Sequence, residues 1–578
     1  MIFEIRPVSA EKHLLEITFR FTATSSQTEL QIPYWRPGRY EGGNFPRNYI
    51  GIKAYFEGVA LPCRKITGHR IAVETPQGKE ITVQYEYYAA DLTAGNTYYD
   101  GDVLLVNPVN CLLYPTGLEK EPFTLSLALP EAWDCATTLK AEDDQGDISV
   151  LQYRAGDLQE LLDTPLLAAA DLKNYSYIVE GVKFHIDVSG YFPENPEGII
   201  GDFRAFTETQ LRAFGSFPVD EYRFLLLFLP ARARHGVEHE KSTVIVMGPA
   251  AELETKEMYN SLLGIASHEL YHTWNVKYLR PADWTPYDFT GPSFSRLGYV
   301  AEGVTTYMGD LMLWQAGVFD DDEFLTELSG HLDRFMQNTG RHNLSLADSS
   351  IDTWVDGYGR TAPGRRQSIY TEGALLAFVC DAMITDGTDG DAGLWKAMRK
   401  LYETVNPSQG FTEDEYWAAL AKEANKPWTA LREAVVDGTG ALENFIEGAL
   451  PLLGLKSEES GDNKKETWWG EKHMETPGNG LLVIYVAANS PAETCGLWPG
   501  NLIEAVNGTP AADFFRNATE SVLRNSSVEL TVKKGYKTRT LTLVPDGNAH
   551  LKKYSITQNP AGNTERFHTW KTTLQAST

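Results

Sequence analysis

Residues 15–21 (LEITFRF), 81–87 (ITVQYEY) and 123–129 (FTLSLAL) alternate apolar and polar positions. Successive side chains of a strand point to opposite faces, so this period predicts strands with one buried face. Helical spacing is scarce over residues 1–175, and that part reads as an antiparallel β domain. Strand-like runs return at 182–188 and 222–229, and after Glu254 the pattern changes. Residues 254–277 contain no Pro, and Leu262, Leu263, Ile265, Ala266, Leu270 and Trp274 recur at a spacing that suits a buried helix, with Pro281 as its stop. Helices are also expected over 321–338, 373–384, 394–405, 412–424 and 428–437, so residues 176–455 read as a second domain of strands followed by helices.

The charged, Gly- and Ser-containing stretch 456–470 reads as a linker. Residues 471–546 follow as a small domain with a strand at 480–486 (GLLVIYV), and 547–578 read as a polar, poorly ordered tail. A length of 578 residues with 42% apolar side chains suits about three cored domains. With 51 basic against 78 acidic residues, the formal charge of −27 excludes the basic footprint that nucleic-acid binding needs. No apolar run reaches the length of a membrane span, so no membrane partner is expected. Cys63, Cys111, Cys135, Cys380 and Cys495 are scattered and odd in number, as free thiols in a reducing compartment would be. The start, Met-Ile-Phe-Glu-Ile-Arg-Pro, lacks a basic residue followed by an apolar core. A cytoplasmic address is expected if Met1 is the native start; a chain whose leader had been removed would look the same.

Candidate chemistry centres on His268-Glu-Leu-Tyr-His272. Residues four apart share a helix face, so these two imidazoles can hold one tetrahedral zinc while Glu269 serves as proton acceptor. His235-Gly-Val-Glu-His239 has the same spacing but follows a strand-like run and contains Gly and a β-branched residue. An extended conformation is expected there, which separates the two rings. Zinc of the catalytic type takes a third protein ligand, and Glu302, within GYVAEGVTTY at 298–307, is the candidate.

HELYHTWNVKYLRP at 268–281, with Ala301-Glu302-Gly303, resembles the zinc-binding core of the glycyl aminopeptidase family, a branch of the gluzincin metallopeptidases. Gly236-Val237-Glu238-His239 with Ser242-Thr243 is similar to the family's G-L-E-H segment, and QSIYTEGAL at 367–375 to its Y-x-K-G-A-L stretch, with Glu372 in place of the Lys. Trp35-Arg36-Pro37-Gly38-Arg39-Tyr40 resembles a further family motif, either a rim of the site or a turn with packed aromatics. The resemblance implies a multidomain α+β chain whose thermolysin-like zinc catalytic domain carries a helical lobe. It also implies one zinc per chain on His268, His272 and Glu302, with Glu269 as base and Tyr370 as donor to the oxyanion. Glu238 would bind the free α-ammonium of a peptide with a small N-terminal residue, Gly or Ala. Asn275, Lys277 and Arg280 match the motif without distinct roles. Residues 490–503 (SPAETCGLWPGNLI) with Val506-Asn507-Gly508 look like the core of a bacterial-type PDZ domain, with Asn501 where Asp is usual. Its loop for a C-terminal peptide carboxylate would be Gly478, Asn479, Gly480 and Leu481. The alternatives are a zinc endopeptidase acting on PDZ-presented peptides, and an inactive peptide-binding scaffold.

Overall fold

A computed structural model describes residues 1–142, 150–359, 361–362, 364–461 and 465–576. The chain divides into two compact units, Met1–Glu327 with Gln337–Gly454 and Asn559–Thr578, and Leu328–Met336 with Leu455–Gln558. Residues 1–175 and 176–455 therefore share one unit for most of their length.

In the N-terminal part of the first unit an eight-stranded sheet carries the alternating segments. Leu15, Ile17, Phe19 and Phe21 all point inward from Leu14–Thr22, as the period-two pattern requires. Phe3 stacks on Phe19 with ring centroids 4.1 Å apart, and this pair anchors the core. The sheet is not wholly antiparallel: Ile2–Ser9 runs parallel to Phe123–Ala128. A long crossover separates these two strands, so a parallel pair costs no tight turn.

The following sheet has five strands in the order Lys173–Val179, Val182–Gly190, Glu221–Phe228, Ser242–Gly248 and Ala233–Glu238. Its three central strands run parallel, and Phe224–Phe228 and Val244–Met247 bury a continuous apolar run, as strands covered on both faces do. Ala233–Glu238 lies antiparallel at one edge, with Glu238 paired to Thr243. Helix Lys256–Tyr271 starts at Thr255, whose hydroxyl accepts from Met258 N at 3.3 Å. Helices Thr371–Gly387, Leu394–Thr404 and Glu413–Ala424 complete the lobe, and a further helix spans Asp321–Gln337. No helix among the described residues is long and apolar enough to cross a membrane.

Two expectations are corrected. The stretch expected as a linker contains the strand Leu455–Gly461, which pairs antiparallel with Lys552–Gln558. Pairing satisfies its backbone while its charged side chains stay in water, so charge alone does not forbid a strand. The stretch expected as a loose tail contains helix Thr564–Ala576, which buries Phe567, Trp570 and Leu574. Those three sit at i, i+3 and i+7, a helical stripe within a polar sequence. The Trp570 indole donates to Asp381 Oδ2 at 2.8 Å, and its ring lies 4.8 Å from Trp314.

In the second unit, an antiparallel sheet runs in the order Glu471–Thr476, Gly480–Val486, Leu502–Val506, Val528–Lys534 and Lys537–Leu543. Helices Ala511–Asn517 and Glu520–Asn525 pack with it around Trp469, Leu481, Ile503 and Leu530.

Candidate metal centre

Helix Lys256–Tyr271 brings His268 and His272 together one turn apart, with Nε2 atoms 3.0 Å from one another. The chain then enters a wide turn, Thr273–Tyr278, in which Val276 takes φ 142°. A β-branched residue in that region is strained and must be held by its surroundings. The strain swings Asn275 back: its carbonyl lies 2.8 Å from His272 Nδ1. A carbonyl only accepts, so Nδ1 carries the proton and Nε2 presents its lone pair.

Glu302 comes from a second wide turn, Tyr299–Val304, and its Oε2 lies 3.7 Å from His268 Nε2 and 3.4 Å from His272 Nε2. Edges of 3.0–3.7 Å among two nitrogens and a carboxylate oxygen suit a tetrahedral ion with bonds of about 2.0–2.2 Å. Asn275 fixes the two turns to each other by donating to Val300 O at 2.9 Å and Thr305 Oγ1 at 3.0 Å. Its role, undecided from the sequence, is to orient both sets of candidate ligands. A Cβ on Gly303 would fall 2.4 Å from Gly373, so this turn meets helix Thr371–Gly387 backbone to backbone.

Glu269 and Glu238 complete a second group around His272, with ligand atoms all within 4.8 Å of one another. Both carboxylates are buried, and Glu269 Oε2 and Glu238 Oε1 have no hydrogen-bond partner among the described residues. Unpaired buried oxygens of this kind fit a site that takes a cation and a substrate. A Cβ on Gly236 would lie 2.2 Å from Glu269 Oε1, so only glycine lets the edge strand approach this carboxylate. Burial raises the Glu269 carboxyl well above its ordinary range; His272 opposes the rise, and Glu238 and Glu302 add to it. Burial also pushes the Glu302 carboxyl up, but His272 and His268 prevail and hold it below the usual range.

The N-terminal strands supply part of this centre. Arg36-Pro-Gly-Arg39 forms a turn in which Arg39 N donates to Arg36 O at 3.3 Å and Gly38 adopts φ 78°. Pro and then a left-handed Gly at the central positions suit a type II turn. A Cβ on Gly38 would lie 2.2 Å from Glu238 Oε2. The Tyr40 hydroxyl donates to Glu302 Oε1 at 2.6 Å, leaving Oε2 to face the imidazoles. No spacing in the motif ties it to Glu302, so this contact is not legible in the chain's sequence alone. Trp35 packs against Tyr287 and Trp354, so the motif serves both as a rim and as an aromatic turn.

Lys277, also without a role from sequence, donates to Asp163 Oδ1 at 2.7 Å with its own side chain fully buried. Asp163 lies 3.4 Å from His239 Nδ1 and accepts from Glu240 N at 2.8 Å. It therefore holds the end of the edge strand that carries Glu238. Burial would raise the Asp163 carboxyl, but Lys277 and then His239 keep it well below the ordinary range. Arg280 stacks over Tyr287 at 3.8 Å. His235 lies in the extended strand Ala233–Glu238 and His239 just beyond it, so this pair does not share a helix face.

Tyr370 stands at the entry of helix Thr371–Gly387, with its hydroxyl 3.2 Å from that of Tyr358. Burial first, then the charge of Glu302, pushes its pKa up, which keeps it a donor. Glu372, in the place of the family's Lys, accepts from Ser368 N at 2.8 Å and Asn338 Nδ2 at 2.6 Å. The carboxylate thus brackets the turn that positions Tyr370. In the second unit, Gly478 and Asn479 form the turn between the first two strands, and Asn479 O accepts from Ala512 N at 3.0 Å. Gly480 and Leu481 open the next strand, and Leu481 lines a cleft of about 520 Å³ bounded by His473, Glu475, Phe515 and Arg516.

Residues 3–170 match the peptidase M61 N-terminal domain, and residues 261–376 match the M61 glycyl aminopeptidase model. The chain is a metallopeptidase. An aminopeptidase N family protein from Idiomarina loihiensis has the same fold, with a TM-score of 0.90 at 24% identity over 98% of this chain and 99% of that one. An M1 zinc metallopeptidase from Deinococcus radiodurans is more distant, with a TM-score of 0.46 at 14% identity over 78% of this chain and 94% of its own. No curated protein matches the chain.

Two variants test how this metallopeptidase builds its centre. Tyr40→Phe removes the bond to Glu302 and is expected to weaken metal binding roughly 10- to 100-fold, read by competition with a chelator. Asp163→Asn leaves the Lys277 ammonium buried without a counter-charge and is expected to cost about 3–5 kcal/mol of stability, read by urea unfolding.

Proposed function

We propose that the chain is a zinc aminopeptidase that removes small N-terminal residues, Gly or Ala, from peptides with a free N-terminus. The observation that carries this reading is the buried, unpartnered Glu238 Oε1 in the same cluster as Glu269 and His272. A carboxylate so placed offers a charge-assisted hydrogen bond to an α-ammonium one residue from the bond to be cut. The preference for small residues comes from the likeness of residues 268–281 and 301–303 to the glycyl aminopeptidases.

His268, His272 and Glu302 are the residues that would hold the zinc, which when bound would supply a Lewis acid for the scissile carbonyl and lower the pKa of water towards neutrality. Glu269, whose Oε2 has no hydrogen-bond partner among the described residues, takes the proton of the attacking water and returns it to the departing amine. The Tyr370 hydroxyl donates to the oxyanion as it develops. Glu238 anchors the ammonium, and the turn at Gly38 closes on Glu238 from the other side.

The second unit is read as a PDZ-like module. An extended peptide would add along the open edge of Glu471–Thr476, beside helix Ala511–Asn517. Gly478, Asn479, Gly480 and Leu481 are its proposed carboxylate loop, with Leu481 on the cleft wall.

Glycyl-arylamide and its N-acetyl form separate an exopeptidase from an endopeptidase. Blocking the amine is expected to lower kcat/KM roughly 10⁴-fold, because Glu238 is then left buried and unpaired. Equal rates on the two substrates would refute the assignment. Glu269→Gln is expected to retain the metal, by elemental analysis, while kcat falls roughly 10²- to 10⁴-fold.

A further inference from the structure

Tyr358 Oη lies 3.2 Å from Tyr370 Oη, the hydroxyl proposed as donor to the oxyanion. Nothing in the chemistry proposed above uses Tyr358. Its ring is 41% exposed, so it adds little to a core. Its place is nevertheless closely specified. Arg39 lies over the ring at 4.8 Å, and Tyr358 N donates to Glu41 Oε2 at 3.1 Å, while Arg39 and Glu41 pair with each other. From the other side Arg366 holds the end of helix Leu346–Asp356, donating to Asp356 Oδ2 at 2.8 Å and to Gly357 O at 3.3 Å. Gly357 then turns the chain with φ 58° and ψ −150°, a region essentially reserved for glycine, and a Cβ there would lie 2.1 Å from Glu41 Oε2.

Counting protons gives the contact between the two phenols a direction. Each hydroxyl has one proton to donate and lone pairs with which to accept. With no oxyanion present, either can be the donor. Once Tyr370 gives its proton to an oxyanion, only Tyr358 can donate across the pair. The contact then persists as a chain from Tyr358 to Tyr370 to the oxyanion, in which each bond polarises the next. At 3.2 Å the pair is longer than an ordinary O–H···O bond, as resting catalytic contacts often are, and negative charge beyond Tyr370 would draw it in.

We infer that Tyr358 is a positioning residue for the reaction: it donates to Tyr370 while Tyr370 donates to the oxyanion, and so strengthens that donor as charge develops. This inference rests on the role given to Tyr370 in the aminopeptidase reading. A tyrosine that merely held its segment in place would act through its ring and backbone, and both survive in Tyr358→Phe. The hydroxyl acts only when an oxyanion forms, so its loss falls on the transition state and not on the binding of substrate.

The test is a double-mutant cycle of Tyr358→Phe and Tyr370→Phe on the zinc-loaded full chain, with glycyl-arylamide as substrate. Tyr358→Phe keeps the ring beneath Arg39 and the backbone bond to Glu41, so its urea midpoint is expected to match the wild type. Its kcat is expected to fall roughly 3- to 30-fold with KM little changed. Tyr370→Phe is expected to lose roughly 10²-fold in kcat, and adding Tyr358→Phe to it is expected to cost nothing more, because the chain is already broken. Unchanged kcat in folded Tyr358→Phe, beside an impaired Tyr370→Phe, overturns this inference alone. A loss confined to KM overturns it too, and so do fully additive losses, which would mean that the two hydroxyls act independently. If Tyr370→Phe keeps full activity, the role of Tyr370 fails and the inference with it. If glycyl-arylamide is not cleaved at all, the aminopeptidase reading fails and takes the inference with it.

Discussion

Three carboxylates, Glu238, Glu269 and Glu302, are buried around His272, and their mutual repulsion is the constraint to which the rest of the site answers. Like charges in a low-dielectric interior are tolerated only where a proton, a cation or a network of donors offsets them. Burial disfavours the charged imidazolium of His272, yet Glu302, with Glu238 and Glu269, carries its pKa above the ordinary value. The field therefore favours positive charge at the point where the two imidazoles and the Glu302 oxygen converge.

Much of the surrounding structure keeps those groups from relaxing apart. Asn275 joins the turn after the helix to the turn that carries Glu302, and the strained backbone at Val276 is the cost of bringing it there. Tyr40 orients Glu302 from the N-terminal side, and Asp163 holds Lys277 and the end of the edge strand. Glycines do the complementary task. At 236 and 303 a side chain would collide with Glu269 and with helix Thr371–Gly387, so their absence of a Cβ sets the close spacing of the elements.

The site is thus shared between the N-terminal strands and the helical lobe, which explains why both belong to one compact unit. A centre made only from the segment 236–372 would lack the Tyr40 donor and the Asp163 anchor. Helix Thr564–Ala576 returns to the same unit and satisfies the buried Asp381 through Trp570, far along the chain from the chemistry.

Local periodicity and spacing made much of this legible. The alternation at 15–21 becomes a strand with one buried face, and the four-residue interval in His268-Glu-Leu-Tyr-His272 becomes two rings meeting on one helix face. Both follow from backbone geometry that repeats within a few residues, which any short window of sequence records. Glu302 was a candidate by motif, but its approach to the imidazoles depends on a wide turn that no periodicity announces. Tyr40 meets Glu302 across 262 positions and Lys277 meets Asp163 across 114. Contacts of that kind are decided by the path of the whole chain, so the partners of the buried charges were settled only when the tertiary structure brought distant turns to one place.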